Sequence, residues 1–260
     1  MTEVRVFKDP EALGMALAHE IVGGIDEARQ EGRRYVLGCP GGRSARSTYR
    51  ALAEVVRGAD LGHFVIAMMD DYVVRKPQGD WQHVPADAHY SCRRFAWDEI
   101  VAPLDAVAGS GVRAGHVWLP DPADPPEYAR RLREAGGVDH FIVASGASDG
   151  HVAFAKPGTP LDSDVSIIPL AESTRRDNMA TFPEFSSLDD VPTHGVSVGL
   201  GTIRSSSRRV TLVIHGAGKK LAGERVLVAK DFDPDWPATF IHRCRGARIW
   251  LDEAARSGIE

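Results

Sequence analysis

The chain has 260 residues, 43% hydrophobic and 26% charged, and a formal net charge of −5 from 31 Lys and Arg against 36 Asp and Glu. That length suits one large domain or two small ones with a full core, and the mild acidity offers no basic stripe for nucleic acid. No apolar run approaches the roughly 20 residues that span a bilayer, and Cys39, Cys92 and Cys244 form no CxxC pair, which argues against a thiolate metal site.

In chain order, strands and helices alternate. Val4–Phe7 reads as a short strand. Asp9-Pro10-Glu11 opens a helix through about Gln30, with Asp9 as N-cap and Pro10 in the first turn. Arg34–Gly38 is a buried strand, Ser47–Arg57 a helix, and His63–Met69 a strand with no polar residue after His63. Residues 87–102 read as helical, His116–Leu119 as a strand and Pro126–Ala135 as a helix. His140–Ala144, Val196–Leu200 and Arg209–His215 are further strands, Gly218–Val226 a helix, and Ala247–Leu251 a last strand. Uninterrupted apolar runs fit strands covered on both faces. The alternation predicts a doubly wound, mostly parallel, Rossmann-like α/β sheet in a single domain over residues 1–260. Residues 155–195 are weakly periodic and rich in Ser, Thr, Asp and Pro, which predicts a lid or insertion. The N-terminus lacks the apolar core of a signal peptide, and the three thiols suit a reducing, cytoplasmic compartment.

In such sheets ligands bind beyond the carboxyl ends of strands, and four polar clusters stand at strand ends. Gly41-Gly42-Arg43-Ser44 is a glycine-rich loop entering a helix, where backbone N–H groups and Arg43 favour an anion. A plain tight turn explains it equally well. Asp70 and Asp71 follow an apolar strand; burial and a like-charged neighbour both raise a carboxylate pKa, which suits a base for carbon-bound protons. A helix cap with an exposed neighbour is the simpler account of that pair alone. Asp149 and His151 flank Gly150 after the 140–144 strand, spaced so that a carboxylate can orient an imidazole. With ten histidines in the chain, one exposed histidine would mean little by itself. Gly216-Ala217-Gly218-Lys219 leads into a helix and makes a second anion site, or only a solvated lysine. Taken together, four clusters at successive strand ends converge on one crevice. They read as an anion pocket beside a carboxylate base and a histidine, suited to isomerisation or hydrolysis of a phosphorylated sugar.

These residues also carry a resemblance. Met69-Asp70-Asp71-Tyr72, the run from Asp149-Gly150-His151 to Pro160, Cys39–Ala45, Ser197–Ile203 and Gly216–Lys220 resemble motifs of glucosamine-6-phosphate deaminases (isomerases). 6-Phosphogluconolactonases are the close relatives of that family. The resemblance runs from about residue 3 to 255. It implies that Asp70 carries a proton between sugar C2 and C1. It implies that His151, oriented by Asp149, opens the pyranose ring, and that Gly41, Gly42, Arg43, Ser44 and Lys219 cradle the phosphate. It implies no metal or organic cofactor and a small phosphorylated or anionic sugar as partner, with neither nucleic acid nor membrane. The family includes monomers and hexamers, so a homo-oligomer stays open.

Four positions depart from the family pattern. Lys156 stands where the family has the glutamate that supports the ring-opening histidine, and Ala155 replaces an asparagine. Gly41 replaces the threonine of the phosphate loop. Ala180 replaces a phosphate-binding arginine, although Thr174, Arg175 and Asn178 match the same motif. An ammonium beside an imidazole lowers its pKa, so Lys156 either weakens His151 or points away from it. Three readings follow: an aldose–ketose isomerase and deaminase (hydrolase class) of an amino-sugar phosphate, a 6-phosphogluconolactonase-like hydrolase, or a non-catalytic sugar-phosphate-binding protein.

Overall fold

The computed structural model describes residues 2–256 and Gly258. Its strands and helices run in the order β1 (Glu3–Phe7), α1 (Pro10–Gln30), β2 (Tyr35–Cys39), α2 (Arg46–Val55), β3 (Phe64–Met68), β4 (Asp70–Arg75), β5 (Trp81–His83), α3 (Cys92–Phe95) and α4 (Ala102–Asp105). Then come β6 (Val117–Trp118), α5 (Pro125–Glu134), β7 (His140–Ala144), β8 (Ser166–Pro169), α6 (Glu172–Thr181), β9 (His194–Ser197) and α7 (Leu200–Ser206). The chain ends through β10 (Val210–Ile214), α8 (Lys220–Val228), β11 (Ala247–Asp252) and α9 (Glu253–Arg256).

The apolar strands pair in parallel as a seven-stranded sheet of order β1-β11-β10-β7-β2-β3-β6. Period-2 alternation decides which layer each side chain joins. Tyr35, Leu37 and Cys39 of β2, with Phe64, Ile66 and Met68 of β3, face α1 and α2 through Leu13, Leu17, Ile21, Tyr49 and Leu52. Val36, Val65 and Ala67 face the other way, toward Tyr128 and Leu132 of α5 and Leu200 and Ile203 of α7. Each such fully buried aliphatic side chain contributes on the order of 1.5–3 kcal/mol. The sheet is therefore doubly covered, as its uninterrupted runs predict. Helix α1 starts as expected: Asp9 Oδ1 accepts from Ala12 N at 2.7 Å, and Pro10 occupies the first turn.

From β2 the chain winds outward through β3 and β6, then returns to β7 and winds the other way through β10 and β11. The order reverses between β2 and β7, where doubly wound sheets bind ligands.

Three expectations change. The helix expected at 87–102 begins only at Cys92, where the Ser91 side chain accepts from Arg94 N, and it runs through a π-helical stretch, Ala96–Val101, into α4. Pro103 lacks the N–H that would continue the α pattern back to the preceding turn. The strand expected at 196–200 is β9, ending at Ser197, and Leu200 already begins α7. Nor does β9 join the main sheet. It belongs to a second, antiparallel sheet of order β5-β4-β9-β8, with Asp70 opposite Ser197 and Tyr72 opposite Gly195. Met69 is the single residue between the two sheets; its N–H bonds Cys39 O and its carbonyl accepts from Val198 N. Residues 155–195 supply β8 to this small sheet and α6 to the cavity wall described next.

Candidate functional site

A cavity of about 450 Å³ opens beyond the carboxyl ends of β10, β7, β2 and β3, four neighbours in the main sheet. Among the sequence-predicted residues, Gly41, Gly42, Arg43, Ser44, Asp70, His151 and Lys219 line it. Asp149 stands behind His151 and holds it. Asp71, Lys156 and Arg175 are not on its wall.

Asp70 opens β4 with its side chain toward the cavity, yet only 6% exposed. Burial pushes its carboxyl up to about 7; the Cys92 thiol, whose Sγ lies 3.5 Å from Oδ1, opposes the rise, and Asp71 adds to it. Strand alternation turns Asp71 the other way. Its Oδ1 accepts from Tyr72 N and Cys92 N, both at 2.9 Å, and its Oδ2 lies 3.3 Å from His83 Nδ1, within ion-pair reach but without hydrogen-bond alignment. Asp71 thus anchors the start of α3. Tyr72, two residues beyond Asp70, faces the cavity again and packs with Phe154 and Phe182 at centroid distances of 5.4 and 6.5 Å. These rings form an apolar wall.

The loop after β7 presents the second polar centre. Asp149 Oδ1 lies 2.7 Å from His151 Nδ1 and also accepts from His151 N, while Oδ2 accepts from Ser173 Oγ at 2.5 Å. Burial alone would raise this carboxyl, but the hydrogen bond and charge of His151, with Ser173, hold it well below the usual carboxylate range. A carboxylate only accepts, so it fixes the proton on Nδ1 and leaves Nε2 for exchange with a ligand. The pair rests on Gly146, where a Cβ would sit 2.3 Å from His151 Nδ1 and 2.4 Å from Asp149 Oδ1. Beyond it, Val152 and Ala155 exchange backbone hydrogen bonds, a closure that holds Ala153 at φ 53 on the cavity wall. That left-handed conformation is unusual for a residue with a Cβ.

The other end of the cavity is built by two loops. Gly42, at φ 87, turns the chain from β2 into the Arg43–Ala45 turn and α2. The Arg43 guanidinium is exposed and has no hydrogen bond or ion pair with another described residue. After β10, His215 Nε2 bonds the Ser44 carbonyl at 2.9 Å, tying this loop to the first. Gly216 N donates to both Asp252 carboxylate oxygens. Lys219 Nζ donates to the Ser145 carbonyl; burial lowers its pKa, and Asp177 counters that while Arg43 reinforces it.

Lys156 is half-buried after the Ala155 turn, and its backbone carbonyl accepts from Thr159 N. Arg175 points from α6 toward the Leu188–Asp190 turn and donates to Leu188 O and Val191 O, at 2.5 and 2.9 Å, as a clamp on the chain that follows. Sequence reasoning missed several wall residues. Tyr72 follows from alternation and His215 from the strand-end rule; Asp177 follows from helical spacing out of Thr174. Cys92 carries no local signal. Among the described residues, no group of three or more His, Cys, Asp or Glu is placed to hold a metal ion, and no helix is long and apolar enough to cross a membrane.

The family model for glucosamine-6-phosphate isomerases/6-phosphogluconolactonase matches residues 8–250. A glucosamine-6-phosphate deaminase of Bifidobacterium longum subsp. infantis is 32% identical over 234 residues, 86% of this chain and 82% of its own. One from Exiguobacterium sp. is 29% identical over 252 residues, 96% of this chain and 87% of its own. In fold, a monomeric glucosamine-6-phosphate deaminase superposes with a TM-score of 0.81 at 24% identity, over 98% of this chain and 99% of that one. The 6-phosphogluconolactonase of Leishmania guyanensis gives 0.70 at 17%, over 100% and 99%. On its residues and its fold, this chain belongs to the family of glucosamine-6-phosphate isomerases and 6-phosphogluconolactonases.

Proposed function

We propose that the protein is a sugar-phosphate aldose–ketose isomerase that deaminates glucosamine 6-phosphate or a closely related amino sugar. The observation that carries this is Asp70: a buried carboxylate held near pKa 7 in the same cavity as the Asp149–His151 pair. A base tuned to neutral pH suits proton transfer at carbon. His151 Nε2 takes the proton of the anomeric hydroxyl and returns one to the ring oxygen, which opens the ring. Asp70 then removes the proton on C2 and delivers it to C1. The resulting C2 iminium adds water and expels ammonia, leaving the ketose phosphate. Arg43, Ser44 and the amides of the glycine loop, with Lys219, hold the phosphate. Three thiols outside any disulfide suit a cytoplasmic location.

A second reading is lactone hydrolysis. Lys156 stands off the cavity wall, so the position implied to supply a ring-opening carboxylate supplies none. Hydrolysis of a lactone needs only a base such as His151. One experiment separates the two: ammonia and ketose release from glucosamine 6-phosphate, beside hydrolysis of 6-phosphogluconolactone. Ammonia release abolished by Asp70→Asn supports the deaminase. Lactone hydrolysis insensitive to that change, without ammonia release, replaces it with the hydrolase.

A further inference from the structure

Strand alternation puts Asp71 on the face of β4 turned away from the cavity, and there it meets a histidine. Asp71 is fully buried. Its Oδ1 is served by Tyr72 N and Cys92 N, but Oδ2 has no hydrogen bond among the described residues. What faces Oδ2 is the His83 ring, with Nδ1 3.3 Å away. The small sheet places it: His83 of β5 pairs with Val73 of β4, and Asp71 lies two residues from Val73 on the same face, a diagonal neighbour.

The histidine is not sealed in. Its side chain is 19% exposed, against 0% for Asp71. It lines a second cavity, of about 420 Å³, with Arg93 of α3, Asp121 after β6, and Glu127 and Arg131 of α5. The two arginines and two carboxylates there offset each other in charge. Among the described residues, Asp71 is the one charged group within ion-pair reach of His83. Imidazole is the side chain that takes up a proton near neutral pH. When protonated, His83 sets a positive charge against Asp71; when neutral, it leaves that carboxylate uncompensated. Asp71 adjoins Asp70, and its negative charge pushes the Asp70 carboxyl up. Whatever offsets Asp71 is therefore felt at Asp70, one residue along the strand.

Building on the reading of Asp70 as the base, we propose that His83 is a positioning residue of this reaction. It supplies the counter-charge to Asp71 and so sets the pH at which Asp70 gives up its proton. It touches no substrate: it lies behind β4 and acts through Asp71.

The test reads Asp70 directly in the free protein. Its carboxyl carbon resonance, assigned by its absence in Asp70→Asn, is titrated by NMR from about pH 5 to 9. The proteins are wild type, His83→Gln and Asp71→Asn. Asparagine at 71 keeps an acceptor for Tyr72 N and Cys92 N, and glutamine at 83 keeps an N–H for Oδ2. His83→Gln is expected to move the Asp70 midpoint up and Asp71→Asn to move it down, each by about half a pH unit or more. A merely structural role gives no reason for opposite shifts of one midpoint. An unmoved midpoint in either folded variant overturns the proposal, as do shifts in the same direction. Should Asp71→Asn fail to fold, His83→Gln decides alone. Ammonia release from glucosamine 6-phosphate, recorded on the same proteins, keeps the two readings apart. Opposed midpoints without ammonia retire the deaminase and leave the tuning by His83 standing. Ammonia release with unmoved midpoints does the reverse.

Discussion

Asp70 and Asp149 are the same residue type serving one cavity, and their surroundings drive them apart. Asp70 sits at the start of the small sheet, where its oxygens meet one weak donor, the Cys92 thiol, and a like-charged neighbour. Asp149 sits in the loop after β7, where an imidazole, a hydroxyl and a backbone N–H all serve its two oxygens. Asp70 is buried and Asp149 half-buried; desolvation raises both carboxyls, so it cannot account for the one that is lowered. Burial, opposed by one weak donor, lifts Asp70 to near neutrality, while the donors around Asp149 outweigh its partial burial and keep it ionised well below the usual carboxylate range. Such a pair of opposed carboxyls separates a group that moves a proton from one that only orients the group that does.

The sharpest break of this comparison is Asp70→Asn. If Asp70 carries the proton, kcat for the amino sugar falls by about 10²–10⁴. Stability should move the other way. The folded-state value of Asp70 lies above the ordinary carboxylate value. Its neutral form therefore favours the fold at low pH, and that contribution is lost as pH rises from about 4 through about 7. Asparagine is neutral throughout, so at pH 8 the variant should resist urea better than wild type, by up to about 4 kcal/mol. An inactive variant that is also less stable at pH 8 denies Asp70 its raised carboxyl.

Asp149→Asn tests the other half. It keeps the shape but removes the anion that fixes the tautomer of His151, and kcat should fall by about 10²–10³. Here the sign of linkage reverses. The folded-state value is depressed, so the contribution of Asp149 is present above about pH 4 and lost as pH falls below it. Urea titrations between pH 3 and 7 should show wild type losing more stability toward acid than the variant. Parallel curves would deny Asp149 its separate role.

Cys92→Ala sharpens the comparison without ending activity. The thiol is the group that holds Asp70 down, so its removal should move the ascending limb of kcat/KM, expected near 7, to higher pH. The rate above the limb should stay within a few-fold of wild type. An unmoved limb assigns it to some other group.

Much of this is legible in the amino-acid sequence. Runs such as Phe64–Met68 are apolar on both faces, which only a doubly covered sheet tolerates. The strand-end rule then leads to Gly41–Ser44, Asp149, His151 and Lys219. The small sheet escapes such a reading because its strands are short or begin with charge: β5 has three residues, and β4 opens Asp70-Asp71. Read singly, that pair looks like a cap; only pairing with β9 turns one carboxyl inward and the other outward. Helix α6 is strongly polar, so no apolar stripe announces the face it gives the cavity. Cys92 reaches Asp70 across 22 positions of sequence, a contact that exists only in the folded chain.

Lys156 carries the smallest expected effect. The family resemblance places a glutamate at this position in support of the ring-opening histidine. Here the Val152–Ala155 closure turns the chain away just before it, and Lys156 is off the cavity wall. Among the described residues its one hydrogen bond uses the backbone carbonyl, to Thr159 N. A charge reversal of a half-buried side chain without such a partner perturbs stability by within about 0.5 kcal/mol. Orientation of His151 rests on Asp149, which Lys156→Glu leaves in place. Activity of that variant on glucosamine 6-phosphate should therefore stay within about two-fold of wild type. A ten-fold gain would mean that a carboxylate at 156 reaches the histidine during turnover, and that Asp149 alone does not complete the ring-opening centre.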